Sequence, residues 1–182
     1  MALITGDGTP ITFDGFGTPD RIVIDAGPDD LPRWHARRAK KGTPPKAHLP
    51  TKNKWHTVNT FGKIVPTGLK AKTEDVLRTL CFMQGLEGTK DAPVIRRGVW
   101  RITVTGYAWR HKQLACGSLV PDLDADAVLV PLRDSLQGAN IIDDDGRIIE
   151  AIGYAVHRKG KPGFRVVLER LDVGTTSRRA GT

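Results

Sequence analysis

The chain predicts an α+β fold: a two-layer domain with a mostly antiparallel sheet and its helices packed on one face. Three observations carry that expectation. Val99 to Tyr107 alternates Trp100, Ile102 and Val104 with Arg101, Thr103 and Thr105, the period-two pattern of a strand with one buried face. Thr67 to Met83 places Leu69, Val76, Leu77, Leu80 and Met83 at helical spacing, so these are expected core residues. The elements come in the order strand, helix, strand, helix, two strands, which suits helices segregated to one side of a sheet.

With 182 residues and 39% hydrophobic content, one domain with a full core is expected, over residues 21–171. Residues 1–20 are rich in Gly, Asp, Thr and Pro and read as a flexible amino-terminal extension, and 172–182 as a frayed tail. Gly6-Asp7-Gly8 follows no strand and opens no helix, so it is not a phosphate loop, and no nucleotide cofactor is expected. No apolar run approaches the ~20 residues that span a bilayer, and no charged-then-apolar leader opens the chain. The expectation is a cytoplasmic protein with no membrane partner. Cys81 and Cys116 lack C-x-x-C spacing and are expected as reduced thiols.

Arg21 to Asp25 reads as the first strand. From Leu31 to Thr73 there are eleven Lys or Arg and no acid, interleaved with Trp34, Trp55 and three histidines whose spacing suits no metal motif. Pro44, Pro45 and Pro50 make residues 31–66 largely loop. A run of like charge repels itself unless it lies along something negative, and phosphates are the candidate. Lys52, Lys54, Lys63, Lys70 and Lys72 are the expected backbone contacts. After the strand at 99–107, His111 to Gly117 reads as a loop. Ile148 to His157 and Phe164 to Leu171 are two strands joined by a basic, glycine-containing turn at 158–163.

The chain is organised around residues 120–150. This stretch holds eight acids against Arg133 and Arg147, so the rest of a chain that is +8 overall carries +14. Crowded carboxylates repel unless a cation sits among them, and hard oxygen donors point to Mg²⁺ or Mn²⁺. Asp122, Asp124 and Asp126 alternate, which in an extended segment turns all three to one face. Ala127 to Gln137 then reads as a short helix with Asp126 as its N-cap, Gly138 as its stop and Pro131 as the point of a kink. The acidic turn Asp143-Asp144-Asp145-Gly146 follows. An EF-hand is excluded, because Ala127 and Arg133 stand where that loop needs glycine and glutamate.

The order Asp124-x-Asp126, then Asp134-Ser135-Leu136 on a helix, then Asp144-Asp145-Gly146-Arg147-Ile148 resembles the RusA-type Holliday junction resolvases. That family carries Asp-x-Asp-Asn-x-x-Lys, then Asp-x-Leu, then Asp-Asp-x-Gln-Val. Upstream, Asn53-Lys54-Trp55-His56 and Gly62 to Thr67 resemble its asparagine-rich turn and hairpin, so the likeness covers roughly residues 50 to 170. Ala127 and Val130 stand where the family has asparagine and lysine. Placing Asp122 and Asp124 on the aspartate pair instead needs a two-residue insertion and leaves the choice of pair open. Arg133 is the one base on the helix that could take the lysine's electrostatic role.

The resemblance implies a RusA-like fold and a homodimer that cuts Holliday junctions or other branched DNA in recombination and repair. It implies Mg²⁺, with Mn²⁺ as an alternative, and a setting in the cytoplasm of a bacterial cell, where a phage could also encode it. On this reading Asp124, Asp126, Asp145 and Arg133 are catalytic, and Asp122 and Asp144 are further metal ligands. Asn53 joins the lysines as a DNA contact. A different expectation, motivated by Ala127 and Val130, is a RusA-like DNA-binding module with weak or no catalysis. A structural or assembly protein with a charged arm is the third.

Overall fold

The structure, a computed structural model, describes residues 8, 10–15, 17–34, 46–52, 56–58, 63–108, 110–159 and 161–171. Its elements are β1 (Arg21–Ala26), β2 (Arg33–Trp34), β3 (Lys46–Ala47), β4 (His56–Val58), β5 (Ile64–Pro66), helix α1 (Gly68–Met83) and β6 (Val99–Ala108). Then come β7 (His111–Gln113), β8 (Leu119–Pro121), helix α2 (Ala125–Gly138), a 3₁₀ turn at Asp145–Arg147, β9 (Ile148–His157) and β10 (Gly163–Leu171). The sequence expectations for Asn53, Lys54, Trp55, the basic residues between 35 and 45, and the tail 172–182 lie outside the described residues.

The architecture is α+β, with a mixed four-stranded sheet in the order β1-β10-β6-β9. β1 with β10 and β10 with β6 run antiparallel, while β6 with β9 runs parallel through a crossover that contains α2. Alternation explains the core. Ile22 and Ile24, Phe164, Val166 and Leu168, and Trp100, Ile102 and Val104 point to one face and are fully buried. Leu77 and Cys81 of α1, and Val128, Leu132 and Leu136 of α2, join them in the same cluster, which puts both helices on that face. Each large core aliphatic so buried contributes about 1.5–3 kcal/mol.

Two glycines bring α2 down onto the sheet. A methyl group at Gly106 would lie 2.7 Å from Leu123 Cδ2 and 3.1 Å from Val128 Cγ2, and one at Gly153 would lie 3.2 Å from Ala125 Cβ. The start of α2 therefore sits over β6 and β9, and the acidic residues around it are placed by that contact.

Several sequence expectations are corrected. Met83 is 75% exposed rather than core, because α1 ends with that turn directed to solvent. The strands flanking the 158–163 turn are not neighbours: β9 and β10 lie on opposite sides of β6. His111 to Gly117 is not simply loop, since β7 and β8 form a hairpin whose tip turns at Gly117 with φ 85°. Helix α2 runs unbroken through Pro131, whose ring is buried against the core. It ends at Gly138, as expected, but the left-handed residue that follows the stop is Asn140, with φ 59°, and not the glycine. Gly138 lies against α1, where a side chain would displace the Glu74 carboxylate, the movable end of a flexible side chain.

Of the extension read over 1–20, the described part folds against the sheet. Ile11 is buried, and the Asp14 carboxylate accepts from Arg170 Nη1 at 2.7 Å and from the Thr18 amide at 2.8 Å. Among the described residues no helix is long and apolar enough to cross a membrane.

Candidate functional site

The β7–β8 hairpin delivers the chain to α2. His111 pairs with Pro121, Lys112 with Val120, and the Asp122 amide donates to Arg110 O at 2.9 Å, continuing the ladder by one step. The His111 ring stacks on His157 at the end of β9, with centroids 3.5 Å apart, which ties the hairpin to the sheet. Because strand β8 ends at Pro121 and α2 begins at Ala125, Asp122, Asp124 and Asp126 do not share one extended face. Alternation fails there because its period belongs to a strand, and two of the three residues sit at or inside a helix start.

The N-cap is also displaced. Asp124, in an extended conformation, occupies that position, while Asp126 is the second residue of the helix. Asp124 makes no side-chain cap. Its Oδ1 instead lies 3.3 Å from Lys112 Nζ, and the carboxylate is 79% exposed. Asp126 is exposed in the first turn, where the helix dipole favours an anion.

At the other end of α2 the acidic turn is held by a set of its own contacts. Asp143 forms a two-pronged ion pair with Arg147, through Nε and through Nη2 at 2.7 Å, and this guanidinium holds its carboxyl below the ordinary aspartate value. Asp144 Oδ1 accepts from the Gly146 amide at 2.8 Å and caps the 3₁₀ turn, which commits that oxygen to structure. Gln137 Nε2 donates to Asp143 O at 3.0 Å. Asp145 is exposed, and Arg133 reaches it: Nη2 is 3.4 Å from the Asp145 carbonyl oxygen and 3.8 Å from Oδ2. The Arg133 Nε is buried and has no hydrogen-bond partner among the described residues. Val130, the position at which the sequence lacks a lysine, is exposed.

Asp126 and Arg133 are seven residues apart, about 10 Å along the helix axis. The structure thus makes two acidic ends on α2: Asp122, Asp124 and Asp126 at its start, and Asp145 beside its second half. Among the described residues no three His, Cys, Asp or Glu side chains converge as an all-protein metal site requires. Mg²⁺ does not demand one, since it is commonly held by one or two carboxylates together with waters and substrate phosphates. The donor set here, exposed hard carboxylate oxygens, fits that mode.

Lys112 is the residue that sequence reasoning missed. It lay in a stretch read as loop, and nothing in its local spacing links it to Asp124, twelve positions on. Of the expected DNA contacts, Lys52, Lys63 and Lys72 are exposed. Lys70 is turned inward, 3.9 Å from Glu74, whose carboxyl is pushed up by burial. Both line a polar cleft of about 530 Å³ that also includes Lys90, Asp134, Gln137 and Asp143. No family model matches the chain, and no curated protein matches its sequence.

Proposed function

We propose that the protein is a RusA-like, Mg²⁺-dependent endodeoxyribonuclease acting on branched DNA. The observation that supports this most is the pairing of an acid near each end of α2 with a cation, Lys112 of the β7–β8 hairpin beside Asp124 and Arg133 of α2 itself beside Asp145, in a chain otherwise strongly basic. A bound divalent ion would supply Lewis-acid stabilisation of the scissile phosphate and an activated water. Asp124 and Asp126, with Asp122 adjacent, are the residues that would hold it. Asp145 is the acid that Arg133 positions against the same helix. Lys112 and Arg133 restrain the carboxylates before substrate arrives and place positive charge where a phosphodiester would develop negative charge. Neither guanidinium nor exposed ammonium needs to transfer a proton for this. Lys52, Lys63 and Lys72 would carry backbone phosphates without reading bases.

The test is nicking of a labelled four-way junction across a Mg²⁺ series, with Asp126→Asn run in parallel. Cleavage by the natural chain and its loss in a folded Asp126→Asn variant is the expected outcome. Because Asp124 holds the N-cap position, unfolding is not expected from the Asp126 change. Binding of junctions without cleavage at any Mg²⁺ concentration favours the second reading, a RusA-like DNA-binding module. Ala127 and Val130 motivate that reading, since they leave α2 itself without the polar and basic groups of the resembling family.

A further inference from the structure

Both helices pack on one face of the sheet, and among the described residues the opposite face carries no helix. Register sets the residues of that opposite face in rows. Arg21, Glu169, Arg101 and Glu150 form one row across all four strands, and neighbours along it are salt-bridged at 3.4, 4.0 and 2.6 Å. A second row joins Asp25 to Arg165 at 3.4 Å. Every acid of the face is thereby neutralised by an arginine of its own row. The β6–β9 half of the face is different: Thr103, Thr105 and Tyr107 lie beside Ile152, Tyr154 and Val156, which are 37%, 52% and 44% exposed. Positive charge gathers at one end of this patch. The Arg158 guanidinium lies 5.0 Å from the centre of the Tyr107 ring, and Lys159 and Lys161 follow it, both exposed. The β7–β8 hairpin leaves the patch open, because its His111 ring stacks on His157, which alternation turns to the helix side with Gly153 and Ala155.

We propose that this patch is a platform for single-stranded DNA, one unpaired base stacking on Tyr154 and another on the Tyr107–Arg158 pair, with the backbone passing Lys159 and Lys161. Two spacings select a single strand over a duplex. Tyr107 lies one strand across and two residues along from Tyr154, about 8 Å away and more than twice the ~3.4 Å step between stacked bases. Each ring therefore takes its own splayed base. The outer strands of the face are about 14 Å apart, whereas a major groove about 12 Å wide admits a helix or a two-stranded ribbon. A duplex would meet this face with its backbone alone, while a single strand offers the π-faces of its bases to rings and guanidinium alike. Charge selects the same partner. With the acids of the face already paired, Arg158, Lys159 and Lys161 add positive charge that none of them offsets, and aromatic surface beside such a rim suits a polyanion with apolar faces. The proposal deepens the branched-DNA reading by naming the unpaired strand near a branch as what the sheet holds. It is measured without metal, so a chain that does not cut leaves it standing, and its own failure leaves the acidic site untouched.

Fluorescence anisotropy of a labelled oligothymidylate of roughly twelve nucleotides, with full-length protein in EDTA, should show binding, and a duplex of the same length is the reference. Tyr154→Ala should weaken single-strand binding about tenfold, within what one stacked base contributes, and leave duplex affinity unchanged. Tyr154→Phe keeps the ring and should bind as the natural chain does. Arg158→Ala should weaken single-strand binding and flatten its salt dependence by roughly 0.7 log unit. Far-UV circular dichroism checks that each variant folds. If Tyr154→Ala does not, photocrosslinking of the natural chain to an iodouracil-containing strand decides: adducts on Tyr107 or Tyr154 support the platform, and adducts confined to other residues overturn it. A natural chain without affinity for the strand at concentrations on the order of 100 micromolar overturns it. So does a folded Tyr154→Ala variant that binds the strand as tightly as the natural chain, or one that loses single strand and duplex equally. A Tyr154→Ala variant whose mass by light scattering falls while its affinity for the strand is kept also overturns it, marking the face as a contact between copies of the chain.

Discussion

Replacing Lys112 by methionine removes the ammonium beside Asp124 while keeping an unbranched apolar stem, and the structure predicts two separable effects. At 3.3 Å the two charges attract by about 1.3 kcal/mol in a water-like dielectric. With the lysine side chain 45% exposed and the aspartate 79%, ordering costs and salt reduce the net contribution to folding to about 0.5 kcal/mol or less. Thermal unfolding should therefore shift by no more than a degree or two. The effect on cleavage should be larger, because a cation held beside the metal-site carboxylate acts where negative charge grows in the transition state. A loss of one to two orders of magnitude in the single-turnover rate, about 1.4–2.7 kcal/mol of barrier, is expected at saturating Mg²⁺. Adding Val130→Lys to the same variant should return part of it, by putting a cation on α2 one turn from Asp126. A Lys112→Met enzyme that cuts within threefold of the natural rate refutes the assignment, and so does one whose loss is matched by a fall in unfolding temperature.

Arg133→Ala should lower cleavage by one to two orders of magnitude with junction affinity little changed, measured by single-turnover rates beside a binding titration. Val130→Lys alone should raise the rate, and if it creates activity where the natural chain has none, the binding-module reading is the better one. Changing Lys52, Lys54 and Lys63 together to Ala should weaken DNA binding and flatten the salt dependence by roughly 0.7–0.9 log unit per lost contact; an unchanged slope would make these bystander charges. Asp143→Asn should destabilise the fold by up to about 1 kcal/mol at neutral pH, since its partly exposed carboxylate is paired with Arg147. The pairing lowers the folded-state value, so its contribution is present above the unfolded aspartate value of about 3.9 and is lost as pH falls through the folded one. The natural protein and the Asp143→Asn variant should thus differ in urea midpoint at neutral pH and converge in acid.

What could be read from the sequence divides along a physical line. Strand β6 and helix α1 were legible because burial imposes a period, and Trp100, Ile102, Val104, Leu69 and Leu77 obey it. Met83 follows the same helical spacing yet lies on solvent, since spacing sets a direction around the helix but not where the neighbouring layer ends. The hairpin β7–β8 was invisible for the complementary reason. His111 to Gln113 is wholly exposed, so no burial pattern marks it, and its pairing is set by backbone bonds across a five-residue tip. The same applies to the order of β9 and β10. Their lengths and the glycine-containing turn suggested adjacency, but β6 offers two edges, and α2 delivers β9 to one of them in parallel while the turn carries β10 to the other. The acidic stretch shows how such misreadings propagate to a site. Treating Asp122, Asp124 and Asp126 as one strand face made them a ready cluster and left Val130 as a missing cation to be replaced from the helix. Once α2 starts at Ala125, the carboxylates are split across a cap, and the hairpin that the alternation rule could not see supplies a lysine to one of them. A charge required by chemistry does not have to come from the position where a motif keeps it, only from an element that packs close enough, and Lys112 reaches Asp124 because Gly106 and Gly153 let α2 settle against the strands beside that hairpin.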